Sequence, residues 1–310
     1  MIVRASFVAL ALALASPALG QSAAPTAADA DAFVLKAEKE LADFGVFNAQ
    51  VQWINNTYIT EDTDAGAARI GAQGTEMSVR LATEAAKYLN APGLSADTRR
   101  KLDFLRGGLV LPAPTTEGAA KELNEIATKL NSAYGKGKGT LRGNEINGSD
   151  IEAEMGTNRN PDELAEMWKS WNDSVGSPMK DDYARMVEIA NKGAQELGYA
   201  DLGAMWRSQY DMKPDEFAAL TDKLWAQVKP LYDELHCYTR TKLNTHYGDA
   251  VQAKTGPIRA DLLGNMWAQE WGGIYDVVAP KGAGELGFDI GAQLNAKGYD
   301  PLKMVKTGGA

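Results

Sequence analysis

Apolar residues recur every three or four positions along most of this chain, and that spacing predicts helices. Phe33, Ala37, Leu41 and Phe44, continued past Gly45 by Val51, Trp53 and Ile54, predict a long first helix beginning near Asp31. Ile70, Met77, Leu81, Ala85 and Tyr88 mark a second, closed by Asn90-Ala91-Pro92-Gly93, where proline cannot continue a helix. A short third helix is expected from about Ala96 to Arg106, and Pro112 with Pro114 then forces a break. Leu123, Ile126, Leu130 and Tyr134 predict a fourth, ending at Gly135. Asn160-Pro161-Asp162-Glu163 is a helix start, with an Asn cap, Pro at the first turn and acids against the positive end of the dipole. The helix it opens carries Leu164, Met167, Trp168 and Trp171 on one face. Tyr183 to Leu197 predicts another, stopped by Gly198, and Leu202 to Trp206 a short one. From Phe217 through Leu220, Leu224, Val228, Leu231 and Leu235 to Leu243 the register holds, so one long helix spans Pro214 to Tyr247 with a bend at Pro230 and a stop at Gly248. Leu262 to Val278 predicts a last apolar helix. The GKGKG run at 135–139 reads as a flexible loop, and no alternating run predicts a sheet. The fold class is mainly α, with long antiparallel helices and no repeat.

Residues 1–20 stand apart. Arg4, the apolar Phe7 to Leu14 and the small-residue end Ala18-Leu19-Gly20 form the pattern of a secretory signal peptide. Residues 21–30 are small, polar and Pro-containing, a flexible lead-in, and the helical domain is expected over 31–310. The protein is therefore expected to be exported, periplasmic or extracellular. Removing the leader leaves no stretch for stable membrane insertion, whereas an uncleaved leader would tether the chain. Among 310 residues 45% are hydrophobic and 24% charged, which suits a globular protein. A formal charge of -9 gives no grip on phosphate backbones, so nucleic acid is excluded as a partner. The single Cys237 excludes an intrachain disulfide.

Catalytic patterns are scarce. A HExxH zinc site needs two His one helical turn apart with a Glu between them, but His236 and His246 are ten apart and neither opens that motif. Cys237 and His246 lie nine apart on one helix, about 13 Å along its axis, too far for a nucleophile pair. Cys237 reads as a buried inert thiol and His236 as a satisfied helix histidine. No GxSxG elbow is present, and acidic pairs such as Asp181-Asp182 fit a solvated face. Trp168 with Trp171, and Trp267 with Trp271 and Tyr275, fit helix packing.

The stretch GPIRADLLGNMWAQEWGGIYDVV (Gly256 to Val278) resembles the angiotensin-converting-enzyme family of zinc peptidyl-dipeptidases, in which GPI, LLGNMWAQ and IYD recur in this order. KPLYDELHCYTRTKLNTHYG (Lys229 to Gly248), MWRSQYD (Met205 to Asp211), WKSWNDSVG (Trp168 to Gly176) and WINNTYIT (Trp53 to Thr60) resemble further family segments, in family order. The resemblance implies half of a helical, ellipsoidal, channel-containing peptidase that removes dipeptides from the free C-terminus of oligopeptides. Zinc is the implied cofactor, and its HExxH helix and Glu ligand would lie beyond the equivalents of Trp267 and Tyr275. The chain is thus expected to be the N-terminal part of an exported enzyme, with no catalytic or metal-binding residue of its own and inactive alone. By resemblance Gln269 holds the substrate's terminal carboxylate, Trp267 lines that pocket, and Tyr210 helps hold an activating chloride. Asn172 replaces the family's other chloride-binding Arg, and Gly148 falls near where some members carry a Glu at the far end of the channel. The alternative is a non-catalytic helical module that binds peptides or another protein.

Overall fold

The computed structural model describes residues 24–283, 287 and 289–309; the expected leader lies outside them, as do the last expected residue, Ala310, and the first three residues of the lead-in. Helices dominate, in agreement with the apolar spacing. In chain order they are α1 (Ala27–Thr57), α2 (Glu61–Ala86), α3 (Ala96–Gly107), α4 (Ala119–Gly135), a hairpin of β1 (Lys138–Leu141) and β2 (Asn144–Asn147), α5 (Gly148–Thr157), α6 (Pro161–Trp171), α7 (Lys180–Glu196), α8 (Leu202–Arg207) and α9 (Pro214–Tyr247). Three short helices follow: α10 (Tyr275–Val278), α11 (Ile290–Ala296) and α12 (Pro301–Gly308). The chain divides into two compact units, residues 1–132 with 181–220 and residues 133–180 with 221–310.

In the first unit α1 begins four residues before Asp31. Thr26 caps it: its hydroxyl accepts from the Asp29 N–H at 3.2 Å, and the Asp29 carboxylate accepts from the Thr26 N–H at 3.0 Å. This reciprocal pair satisfies two orphan donors, so small residues that read as lead-in join the helix. A second capping box, Thr60 with Thr63, opens α2. Just before it, Asn55 donates to one oxygen of Asp64 at 2.8 Å and Ser132 donates to the other at 2.7 Å, which ties α1, α2 and α4 through buried or partly buried polar groups. The apolar clusters are small and rich in alanine: Ala30, Val34, Ala85 and Leu102 in one, Ala190, Ala194, Leu202 and Met205 in another. Short side chains let backbones approach closely; a Cβ on Gly193 of α7 would fall 2.4 Å from the Pro112 carbonyl oxygen.

The second unit has a larger core, in which Met155, Leu164, Met167, Trp171, Leu243 and Leu262 are all buried. It contains the hairpin that no alternation predicted. Four-residue strands leave too few positions for a period to show, and the turn itself is the better signal: Arg142 (φ 54°) and Gly143 (φ 75°) form the two left-handed positions of a two-residue connection between Leu141 and Asn144. Helix α6 holds it. The N–H groups of Arg142 and Gly143 each donate to Glu166 at 2.9 Å, the Thr140 N–H donates to Ser170 Oγ at 2.8 Å, and the Arg142 guanidinium grips both oxygens of Glu163. That grip, with a further bond from Asn158, pulls the Glu163 carboxyl down to about 2. Helix α6 starts as expected, with Asn160 accepting from the Asp162 N–H at 3.0 Å and Pro161 in the first turn.

Helix α9 has the expected bounds, Pro214–Tyr247, and continues through Pro230. Its apolar register does not bury it. Only Thr239 and Leu243 are buried, whereas Leu224, Val228, Leu231 and Leu235 stand open, Leu231 at 74% exposure.

Candidate substrate-contacting segment

The segment resembling GPI…IYDVV belongs to the second unit, and the helix expected over Leu262 to Val278 is not there. The backbone makes 3₁₀ turns at Ala260–Leu262 and Gly272–Ile274 and becomes α-helical only at Tyr275–Val278. Two left-handed residues break it, Gly264 (φ 74°) and Ala268 (φ 56°). A Cβ on Gly264 would lie 2.9 Å from the Gly273 carbonyl carbon, and one on Gly273 would lie 2.4 Å from the Gly264 carbonyl oxygen. The chain thus folds back on itself through two bare backbones. Leu262, Leu263, Met266 and Ile274 still reach the core, so apolar spacing that suits a helix is met by successive turns.

Side chains take over the bonding that a helix would have supplied. Gln252, 1% exposed, accepts from the Arg259 N–H at 3.0 Å through Oε1, and its Nε2 donates to the carbonyls of Ala253 (3.0 Å) and Pro257 (3.3 Å). Arg259 pairs with the buried Asp261 at 2.5 Å and also reaches the Pro161 carbonyl; the hydrogen bond to Asp261 raises its pKa further. From α9, Arg240 donates to the Lys254 and Gly256 carbonyls, and Tyr238 Oη donates to the Val278 carbonyl at 2.8 Å. Arg159 closes the far side: it donates to the Gly273 carbonyl at 2.6 Å and to both oxygens of Asp276, whose carboxyl it holds below its ordinary value. Sequence reasoning passed over Gln252, Arg159 and Arg259, because isolated polar residues in irregular segments carry no spacing to read.

On this frame Trp267 and Gln269 sit two residues apart. The Trp267 N–H donates to Asn265 Oδ1 at 2.8 Å and the Ala268 N–H to the Asn265 carbonyl at 3.2 Å, a tight turn that pushes the indole outward to 45% exposure. The expected packing role of Trp267 is therefore wrong. Trp271 and Tyr275 are half-buried, and Trp271 donates to the Ala268 carbonyl at 3.3 Å while standing 6.1 Å from both Tyr232 and His236. Gln269 is exposed, and its amide is bonded to no other described residue. An open amide N–H beside an open indole can read a carboxylate next to an apolar side chain.

Tyr210, the third expected site residue, belongs to the first unit. It is 53% exposed and its ring stacks on Phe217 at 3.8 Å. Asn172 turns its amide back to the Trp168 carbonyl at 2.8 Å, which occupies one of its two N–H donors, and it lacks the fixed positive charge of an arginine. Gly148 has a packing reason: its Cβ would fall 2.8 Å from the Trp171 ring, so a Glu there requires that ring to move.

The residues described here do not fit a zinc ion. His236 is half-buried among Tyr232 and Trp271 with Nδ1 3.3 Å from the Arg240 guanidinium, and His246 packs edge-on to Tyr247 at 4.5 Å. No group of three or more His, Cys, Asp or Glu among the described residues is placed to hold a metal. Cys237 is exposed, which overturns its reading as a buried thiol; it lies on the side of α9 away from Thr239 and Leu243.

The mainly helical fold and this glycine-folded segment agree with the class of helical peptidases that the family comparison defines. The family model for angiotensin-converting enzyme, Peptidase_M2, matches residues 24–310, and this chain belongs to that family. It is 32% identical over 277 residues to "Angiotensin-converting enzyme" of Haematobia irritans exigua, covering 87% of this chain and 44% of the relative. It is 34% identical to "Angiotensin-converting enzyme" of Bos taurus over 263 residues, 83% of this chain and 20% of the relative. "Angiotensin-converting enzyme-like protein Ace3" of Mus musculus is 31% identical over 257 residues, 82% of this chain and 34% of the relative. The chain spans less than half the length of each. No helix among the described residues is long and apolar enough to cross a membrane.

Proposed function

We propose that these residues supply the scaffold and part of the carboxylate-reading surface of an exported zinc peptidyl-dipeptidase. The reading rests on one observation: the loop that carries Trp267 and Gln269 is tightly built, yet presents both side chains outward. A Gln amide donates to a carboxylate without the desolvation cost of a buried charge, and so favours a peptide with a free C-terminus over its amide. Trp267 shields that bond from water and takes up the apolar part of the last residue. Zinc, when bound in this family, polarises the scissile carbonyl and activates water; on this reading its ligands come from residues other than these. Tyr210 would offer a hydroxyl to an activating chloride. Leader removal would release the protein to the periplasm or medium.

The open apolar stripe of α9 supports a chain that packs against further protein, since contiguous exposed apolar surface marks an interface. The same stripe also suits the rival reading, a non-catalytic interaction module. Reading the coding DNA past codon 310 separates the two. An in-frame HExxH segment is expected, and in the product that includes it Gln269→Glu should raise KM for a blocked tripeptide roughly 10- to 100-fold, the loss expected when like charges replace a charge-assisted bond. A continuation without zinc ligands, together with saturable peptide binding, would favour the module.

A further inference from the structure

A cavity of about 570 Å³ opens in the first unit between α3 and the turn at 208–211, well separated in sequence from the Trp267 loop. Three arginines of α3, Arg99, Arg100 and Arg106, line it together with Phe104, Tyr199 and Tyr210. In a chain whose formal charge is -9, three guanidinium groups around one hollow run against the overall balance.

Their bonding is uneven. Arg100 is neutralised by Asp211 at 2.7 Å and lies over the Phe104 ring at 4.9 Å. Arg99 donates to the Leu89 carbonyl at 3.1 Å and has no carboxylate partner among the described residues. Arg106 is half-buried, its Nε donates to Tyr199 Oη at 3.2 Å, and its guanidinium lies 5.2 Å from the Tyr199 ring centre. Its two terminal nitrogens donate to no acceptor among the described residues. Tyr199 thus fixes the plane of a partly desolvated cation and leaves its forked end unused, the geometry that takes both oxygens of a carboxylate. The opposite wall is pressed close. Gly107 has no side chain, and a Cβ there would fall 1.9 Å from Gln209 Nε2 and 3.3 Å from Tyr199 Oη, so any larger residue would have to displace the Gln209 amide from beside α3.

We infer that this cavity binds a small organic carboxylate with an aromatic or branched apolar body, its carboxylate on Arg106 with Arg99 beside it and its body against Phe104, Tyr199 and Tyr210. This goes beyond the peptidase reading: no residue of the Trp267 loop takes part, and the one shared residue, Tyr210, contributes its ring here and not the hydroxyl that reading gives to chloride. The remaining acid in the cavity, Asp103, excludes a dianion close to it and favours a single negative charge.

Isothermal titration of the whole chain with phenylacetate tests this, at constant ionic strength, with phenylacetamide, inorganic phosphate and chloride as separate titrants. Saturable one-to-one binding of phenylacetate and none of phenylacetamide is expected. Arg106→Gln should weaken binding at least about tenfold, the value of a charge-assisted pair. Tyr199→Phe, which frees Nε without removing charge, should weaken it severalfold, and Arg80→Gln, outside the cavity, should leave it unchanged. Unaltered circular dichroism accompanies each variant. If Arg106→Gln does not fold, the exposed Arg99→Gln serves instead, with a smaller loss expected. Absence of saturable phenylacetate binding, equal binding of the amide, or binding untouched by Arg106→Gln, Arg99→Gln and Tyr199→Phe would overturn the assignment. Stronger binding of chloride or phosphate than of phenylacetate would overturn it too, by making the cavity a simple anion site.

Discussion

Helix α9 and the segment 256–279 that follows it are ordered by opposite means. Helix α9 keeps 34 residues in one backbone ladder and buries almost none of its apolar register, while the following segment has almost no ladder and sends Leu262, Leu263, Met266 and Ile274 into the core. Apolar period alone made both look like buried helices. In α9 the period and a run of mostly good helix formers agree on either side of Pro230, so the helix holds its register while its stripe stays open. In the segment, left-handed Gly264 and Ala268 turn the chain and Gly264 meets Gly273 in a backbone-to-backbone contact that no helix allows, while Gln252, Arg240, Tyr238 and Arg159 donate to the carbonyls of Pro257, Gly256, Val278 and Gly273. Side chains therefore carry in the loop the burden that the backbone carries in the helix.

This contrast can be broken most sharply at Gly264. Gly264→Val forces a branched side chain into a left-handed position and against Gly273, and urea unfolding should show a loss of about 4 kcal/mol. Next comes Gln252→Leu, which abandons three hydrogen bonds in a buried place; a loss of about 2–3 kcal/mol is expected in the same measurement.

Arg159→Leu should cost less at neutral pH and carry an acid signature. Arg159 holds the Asp276 carboxyl below its ordinary value, so in acid the unfolded chain binds a proton that the folded chain refuses. The pair's contribution is complete above about 4, the ordinary aspartate value, and is lost as pH falls through the lower folded value. Stability measured from pH 6 to pH 3 should therefore fall less steeply in Arg159→Leu than in the parent chain. The smallest effect belongs to α9. Leu231→Gln, at a largely exposed position, should change the unfolding free energy by no more than about 0.5 kcal/mol, while dynamic light scattering should show reduced self-association.

Much of the helical frame was legible in the residues. Asn160-Pro161 announced α6 to the residue, and Pro214 to Tyr247 bounded α9, because caps, prolines and glycines act locally. The early start of α1 was hidden in Thr26 and Asp29, a cap inside a run of small residues. The β1–β2 hairpin escaped because its strands are four residues long and its anchors, Glu163 and Glu166, lie on a helix 21 and 23 residues further along the chain. At the candidate site the residue types were found by resemblance and their exposure was not, since outward Trp267 depends on Asn265 and on left-handed Ala268, neither of which follows from spacing. Cys237 was misplaced for the same reason as the α9 stripe: helical phase tells which residues share a face, and only a partner tells whether that face is covered.

The proposal to be tested is that these residues provide the frame and a carboxylate-reading loop, with the hydrolytic metal held by other residues. Metal analysis of the purified chain after zinc exposure and desalting, read beside dipeptide release from a blocked tripeptide, tests it directly. Zinc at trace level and no release are the predicted result. One zinc per chain with release abolished by a chelator would contradict the account.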